Sequence, residues 1–271
     1  LLLRNTISGG QEFGVQVLGL RTGDLKINIG DSDPLNGNTI TGNRDANIDV
    51  DLAGSSTADV VIQNNQITNA VNGPNVDFNG EGIIFRTTDT SRLFNAQVID
   101  NTITGNAGDG LRVLANSASQ IHATGDPTSP GLLVTGNLIN QNLGDGIQIE
   151  REDNAIVRSI IGTTGGVGVD PDFGNTITAN GQNGINVISG GAATLAGLST
   201  DITVGQNTIS GNAANGVNVT TNDDSQTSVD LISNVIQGLG AQINGVSVTT
   251  NSASRFGKAG GVASLFDGNI I

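Results

Sequence analysis

The chain has no cysteine, methionine, tryptophan or tyrosine in 271 residues, and a single histidine. Without cysteine there is no disulfide, no thiolate metal site and no thiol nucleophile. Without tryptophan or tyrosine, the flat aromatic platforms that sugar clefts use for stacking are missing. Basic residues are few as well: 11 Lys and Arg stand against 25 Asp and Glu, for a formal net charge of −14. Nucleic acid and anionic lipid both need clustered Lys and Arg, so the charge argues against either as a partner. No run of 18 apolar residues occurs, so no membrane-spanning helix is expected. There is no Gly-x-Ser-x-Gly with a partner histidine and no Walker loop, so serine-nucleophile and phosphate-loop chemistry have no footing.

What the chain has in quantity is glycine, 40 residues of it, and a repeat. The stretch from Asn101 to Val113 shows the pattern: Asn, an outward residue, Ile, a turn around a second Asn, then Gly, an aliphatic, an outward residue and an aliphatic. Copies begin at Asn5, Asn38, Asn65, Asn101, Asn137, Asn175, Asn207, Asn234 and Asn269, spaced 27 to 38 residues apart. Ile follows two residues after each of them, from Ile7 and Ile40 through Ile236 and Ile271. After the turn comes an aliphatic pair at period two, such as Ile48/Val50, Leu111/Val113 and Ile147/Ile149. A third pair sits five and three residues before most of the Asn columns, as in Val60/Ile62, Ala96/Val98 and Ile202/Val204. Alternation of this kind is strand with one buried face, and the inner residues are mostly β-branched, as a pleated surface favours.

Each repeat therefore holds about three short strands and no amphipathic helix. One repeat cannot bury its apolar side alone; stacked on its neighbours it can. The expectation is an all-β, right-handed parallel β-helix of about nine coils with protruding loops. It forms one elongated domain over residues 1–271, a rod of ~40 Å. The chain starts at Leu1 inside one repeat and stops at Ile271 inside another, so it is read as an excerpt of a longer protein. The Asn column is expected to be a ladder of stacked amides rather than a site. The column before the Gly (Glu81, Asp109, Asp145, Asn183, Asn215, Asn244) is assigned to turn chemistry, with Gly supplying positive φ.

The run from Gly136-Asn137-Leu138-Ile139 to Gly146-Ile147-Gln148-Ile149 resembles the right-handed parallel β-helix repeat family of the pectate-lyase-like superfamily, and the resemblance covers nearly the whole chain. That superfamily includes pectate lyases, polygalacturonases, alginate epimerases, phage tailspikes and large bacterial surface proteins without known activity, so the fold does not choose a function. The resemblance implies that an enzyme of this kind would use Asp and Arg on the strand after the Gly. Several family signatures are absent: the Asp-Pro-His of the epimerases, and the Asp pairs and Gly-His-Gly of the polygalacturonases. The sole histidine, His122, falls in a loop.

Three chemistries remain. In-register stacking places Asp49, Ile84, Arg112 and Gln148 in one outward column, and Asp51, Arg86, Leu114 and Glu150 in the next. Asp49, Asp51, Arg86, Arg112 and Glu150 are thus the candidate catalytic set of a polysaccharide lyase, hydrolase or epimerase, which needs carboxylates and a cation at the sugar. The bland alternative is an outer-face ladder of opposite charges. Asp31/Asp33, Asp170/Asp172, Asp223/Asp224 and Glu150/Glu152/Asp153 are acidic loop groups of the kind that suits Ca²⁺, hard oxygens on turns; the first two pairs are the candidate metal ligands, although none of the groups matches a calcium-loop motif. Outward hydroxyls at Thr39/Thr41, Thr102/Thr104 and Thr176/Thr178 resemble an ice-binding face, interrupted at Gln66, Leu138 and Val235. The first reading is a structural or adhesive solenoid of a secreted or cell-surface bacterial protein, presenting loops to a polysaccharide or a surface protein. The carbohydrate-active enzyme comes second and the ice-binding solenoid third.

Overall fold

Three parallel sheets wind around one aliphatic interior in the computed structural model, which describes residues 1–73, 75, 78–123, 130–163, 174–191, 200–238, 243–257 and 264–271. The first sheet collects the three-residue strands after each Asn, from Thr6–Ser8 to Val235–Gln237, and has eight strands. The second collects the strands after each Gly, from Phe13–Gly19 to Asn244–Thr250, again eight. The third collects the strands before each Asn, from Asp24–Ile29 to Gln226–Ile232, and its pairing continues to Arg255–Phe256 and Phe266–Asp267. Each strand pairs with its equivalent one coil away, so the fold is the expected right-handed parallel β-helix. Eight windings contribute to all three sheets. Bridges from Leu2 to Ile29 and from Val235 to Ile270 add a fraction of a winding at each end. The one helical element among the described residues is a short 3₁₀ turn at Pro34–Asn36.

The register follows the columns of the repeat. Ile103 pairs with Ile67 on one side and Ile139 on the other, and Ile139 pairs with Ile177. All four are fully buried, as are Val50, Phe85, Val113, Ile149 and Val187 in the second sheet. Each such side chain removed from water contributes roughly 1.5–3 kcal/mol, so the stack is stable only as a stack.

At the corner before the first sheet, the amides form a continuous ladder. Asn65, Asn101, Asn137, Asn175 and Asn207 each donate Nδ2 to the Oδ1 of the next Asn at 2.9–3.1 Å, and that same Oδ1 accepts their backbone N–H. Nδ2 also donates to a carbonyl of the preceding coil, Val98 O for Asn137 at 2.8 Å. Every polar atom of a side chain buried to about 1 % exposure is thereby paired, which removes the penalty of burying it.

The glycine assignment is corrected. Gly82, Gly110, Gly146 and Gly184 do not have positive φ; the left-handed residues lie just before the second Asn, at Gly42, Asn69, Gly105, Gln141, Ala179 and Gly211, with φ of 55–69°. The post-Asx glycines are required by close approach instead. A Cβ at Gly110 would meet Gly146 O at 2.6 Å, Ile139 Cγ2 at 2.7 Å and Asn142 Nδ2 at 2.8 Å. Asn47, which takes the place of that Gly in the second winding, is explained by the next coil. There the second Asn is replaced by Ala70. The Asn47 side chain fills the vacated place, accepting from Asn43 Nδ2 at 2.8 Å and donating to Asn106 Oδ1 at 3.1 Å. The inner ladder therefore continues from Asn43 to Asn106 and on to Asn142, Asn180 and Asn212.

Candidate functional site

The outward columns of the second sheet are in the expected register. Asp49 pairs with Ile84 and Asp51 with Arg86; Arg112 pairs with Ile84 and Gln148, and Leu114 with Arg86 and Glu150. The five candidate residues form two ionic groups on one face. Arg86 Nη2 lies 3.2 Å from Asp49 Oδ1 and 3.1 Å from Asp51 Oδ2. Arg112 bridges in the other direction, Nη2 to Glu150 Oε2 at 3.3 Å and Nη1 to Glu81 Oε1 at 3.4 Å. Ile84 stands between Asp49 and Arg112 in the first column, and Leu114 between Arg86 and Glu150 in the second.

The face is more buried than an exposed charge ladder would be. Asp49 has no exposed surface, although it points away from the solenoid interior. Gln16 Nε2 donates to its Oδ2 at 3.1 Å, and Arg86 covers it from the next coil. Phe78, carried on the long turn between the first and second sheets, lies over the guanidinium of Arg86, 4.4 Å from ring centroid to carbon. It meets Phe13 edge-on at 5.1 Å and packs with Ala46 and Ile84 into a small apolar cluster outside the main core. Burial pushes the Asp49 carboxyl above its ordinary range, against the opposing pull of Arg86 and Gln16.

Sequence reasoning missed three carboxylates by assigning them to turn chemistry. Glu81 is fully buried beside Arg112, and its Oε2 accepts the N–H of Asn79 at 3.0 Å. Burial raises its pKa, with its backbone hydrogen bonds and Arg112 opposing. Asp109, one coil on, is raised to about 7, first by burial and then by the charge of Asp145, with Glu81 adding to it. Asp145 is raised by burial although Asn183 and Asn186 donate to it. Arg112 is held above its ordinary value because Glu81 and Glu150 together outweigh its own burial. The signal that could have found them is the change of residue type within the column: it runs Glu, Asp, Asp, then Asn, Asn, Asn. An amide ladder has no need of that change.

The other candidates behave differently. Asp31 Oδ1 accepts Asp33 N–H at 2.9 Å and its Oδ2 accepts Asn36 Nδ2 at 3.0 Å, while Asp33 Oδ1 accepts Leu35 N–H at 2.9 Å. These carboxylates hold the turn at Pro34–Asn36. Among the described residues no group of three or more acidic or histidine side chains is placed to hold a metal ion. Asp170 and Asp172 lie outside the described residues. His122 is buried, not in an open loop: it bridges Pro130, its two ring nitrogens lie 2.8 Å from Ala123 O and Gln120 Oε1, and its ring meets Phe94 edge-on at 5.6 Å. The outward rows of the first sheet are in register, and Gln66, Leu138 and Val235 interrupt the Thr row at the expected positions.

No protein-family model matches the chain, and no curated protein matches it. Two solved structures are similar to it. One is a mutant of the periplasmic alginate epimerase AlgG, with a TM-score of 0.54 and 18 % identity over 93 % of this chain. The chain spans 50 % of that protein's length. The other is the A-module of the mannuronan C-5 epimerase AlgE4 of Azotobacter vinelandii, with a TM-score of 0.34 and 12 % identity over 96 % of this chain and 88 % of that one. The likeness to AlgG is one of fold: both chains wind as a parallel β-helix.

Proposed function

We propose that the chain is a rigid β-solenoid scaffold, one elongated domain of a secreted or cell-surface bacterial protein, which contacts polysaccharide along its outer surface without cleaving it. The supporting observation is the closure of the ionic network: Arg86 is held between Asp49 and Asp51, and Arg112 between Glu81 and Glu150. A lyase or epimerase needs a cation to neutralise the sugar carboxylate and a base to take a proton from carbon. Here each cation already faces two carboxylates, and the deepest two, Asp49 and Glu81, have no surface to offer a substrate.

A second reading has its own support. Asp109, with its pKa near 7 and Arg112 close by, is suited in proton affinity to serve as a base, on a fold that AlgG also has. Alginate is therefore the first polymer to test, followed by pectate and neutral glycans, each with and without Ca²⁺. The expected outcome is retardation of the protein in the gel of at least one glycan, amino-sugar polymers included, with no new unsaturated or reducing ends and no change in uronate stereochemistry in any. Turnover that disappears in Asp109→Asn or Arg86→Ala would replace the scaffold reading with the enzymatic one.

A further inference from the structure

The corner between the second and third sheets follows its own rule. From the second winding to the eighth one left-handed residue sits there, Gly54, Asp89, Ser117, Asp153, Gly191, Asp223 and Ser252 in order along the chain, with φ of 51–76°; Arg21 holds the place in the first. Asp alternates with a small residue. Each Asp accepts the backbone N–H of the small residue one winding earlier: Gly54 N–H to Asp89 Oδ2 at 2.9 Å, Ser117 to Asp153 Oδ2 at 3.3 Å, and Gly191 to Asp223 Oδ2 at 3.0 Å. Alternation keeps the carboxylates two windings apart, roughly 10 Å, instead of stacked at ~4.8 Å where they would repel.

At one level this corner opens into a cleft of about 360 Å³. Its middle winding contributes Gly190 and Gly191, so among the described residues that winding puts no side chain between Glu152/Asp153 on one side and Asn222/Asp223 on the other. Arg151 lines it too, and is itself about 1 % exposed. Its Nε donates to Ala155 O at 2.8 Å and a terminal nitrogen donates to Gly190 O. Three carboxylates against one guanidinium leave the lining net negative. The pKa of Glu152 is raised by burial and by the neighbouring charges of Glu150 and Asp153, in keeping with that excess. The volume falls at the lower end of small-molecule sites, ~300–1,000 Å³, and is far larger than a single ion requires.

We infer that this glycine-floored cleft is a sugar subsite for one ring of a glycan bearing a protonated amine, an amino sugar, held by the Asp153, Asp223 and Glu152 carboxylates. The ring hydroxyls find acceptors in the same carboxylates and a donor and an acceptor in the Asn222 amide. A uronate ring would meet like charge, so acidic glycans are disfavoured here. A bare divalent ion is disfavoured by the guanidinium and by the size of the space. The inference rests on the polysaccharide-contact reading above and locates that contact away from the Arg86 and Arg112 groups.

The test is titration calorimetry with a glucosamine oligomer, its N-acetylated counterpart, an alginate oligomer and a lysine-rich peptide. Gly190→Leu fills the cleft: Gly190 does not have positive φ, and among the described residues a Cβ there meets only Asp223 Oδ2, at 3.5 Å. Asp223→Asn removes a charge and keeps an acceptor for Gly191 N–H, which covers the case of a poorly folded Leu variant. The expected result is binding of the glucosamine oligomer that weakens about tenfold or more in both variants, is unchanged in Arg86→Ala, and is lost on N-acetylation. Glucosamine binding that survives Gly190→Leu but falls in Arg86→Ala would overturn the subsite and leave the glycan reading standing. Equal binding of the peptide would overturn the sugar assignment. Binding of no glycan at all would sink the inference and the contact reading together.

Discussion

The outer face of the second sheet has two halves with the same backbone and different chemistry. From Asp51 to Glu150 it carries paired charges; from Asn186 onward it carries amides and hydroxyls, with Asn218 and Thr220 following Asn186 and Ile188. In the neutral half, Asn218 Nδ2 donates to Asn186 Oδ1 at 3.0 Å, and in the adjacent column Asn244 donates to Asn215 and Asn215 to Asn183 at 2.9–3.0 Å. Both amide ladders end on one carboxylate. Asn183 reaches Asp145 Oδ1 through its backbone N–H and its Nδ2, and Asn186 Nδ2 reaches Asp145 Oδ2, at 2.7–2.8 Å. Beyond Asp145 the columns turn acidic, and Arg86 and Arg112 balance them. An amide carries both a donor and an acceptor, so it can repeat without limit along a solenoid. A carboxylate only accepts, so two in succession force either a proton or a guanidinium into the row. The charged half is where the solenoid gives up uniformity and satisfies its carboxylates by ion pairs instead of amides.

The contrast is broken most severely by Arg86→Ala. It leaves Asp49 buried without its cation and uncovers Phe78, and is expected to cost about 3 kcal/mol in urea melts. An effect below ~1 kcal/mol would mean that water already reaches Asp49. Next in size is the pH response. The Asp109 carboxyl is raised in the folded state, so its contribution to stability is complete below pH ~4 and is lost as pH climbs through about 7. Glu81, Asp145 and Asp49 are shifted in the same direction. The melting temperature is therefore expected to fall between pH 4 and pH 8, and Asp109→Asn to flatten the profile. Asp145→Asn extends the amide ladder by one winding and removes the charge nearest Asp109, so the Asp109 titration followed by NMR is expected to move toward lower pH. A smaller, pH-independent loss of about 1 kcal/mol is expected for Asn218→Ala in the neutral half. Smallest of all, Glu150→Gln removes one partly exposed partner of Arg112 and is expected to change stability by less than ~1 kcal/mol. A larger loss for Glu150→Gln than for Asn218→Ala would reverse the ranking of the two halves.

The parts of this molecule that were legible in its sequence are those where one winding repeats the next. The columns of Ile103, Ile139 and Ile177, the Asn ladder, and the neighbours Asp51 and Arg86 all follow from a shared register, and periodicity alone supplies that. What was not legible arises where a residue answers a different column. Asn47 looks like an irregular substitution until Ala70 is seen to lack the amide it replaces. Glu81 looks like turn chemistry until Arg112, three residues along and one winding on, is found against it. Asp49 looks exposed because it points outward, and is buried because Gln16 and Arg86 close on it from the neighbouring windings, with Phe78 laid over Arg86. The Gly column was placed correctly and explained wrongly, since spacing shows where a glycine recurs but not whether φ or a neighbouring atom demands it.

The sequence by itself determined the winding, because repeated aliphatic positions at period two have one way to be buried together, and repeated amides have one way to be satisfied. The tertiary structure alone decided which outward charges are screened from water and which proton affinities shift. Those depend on distances between residues 30 to 40 positions apart, and on loops that follow no repeat.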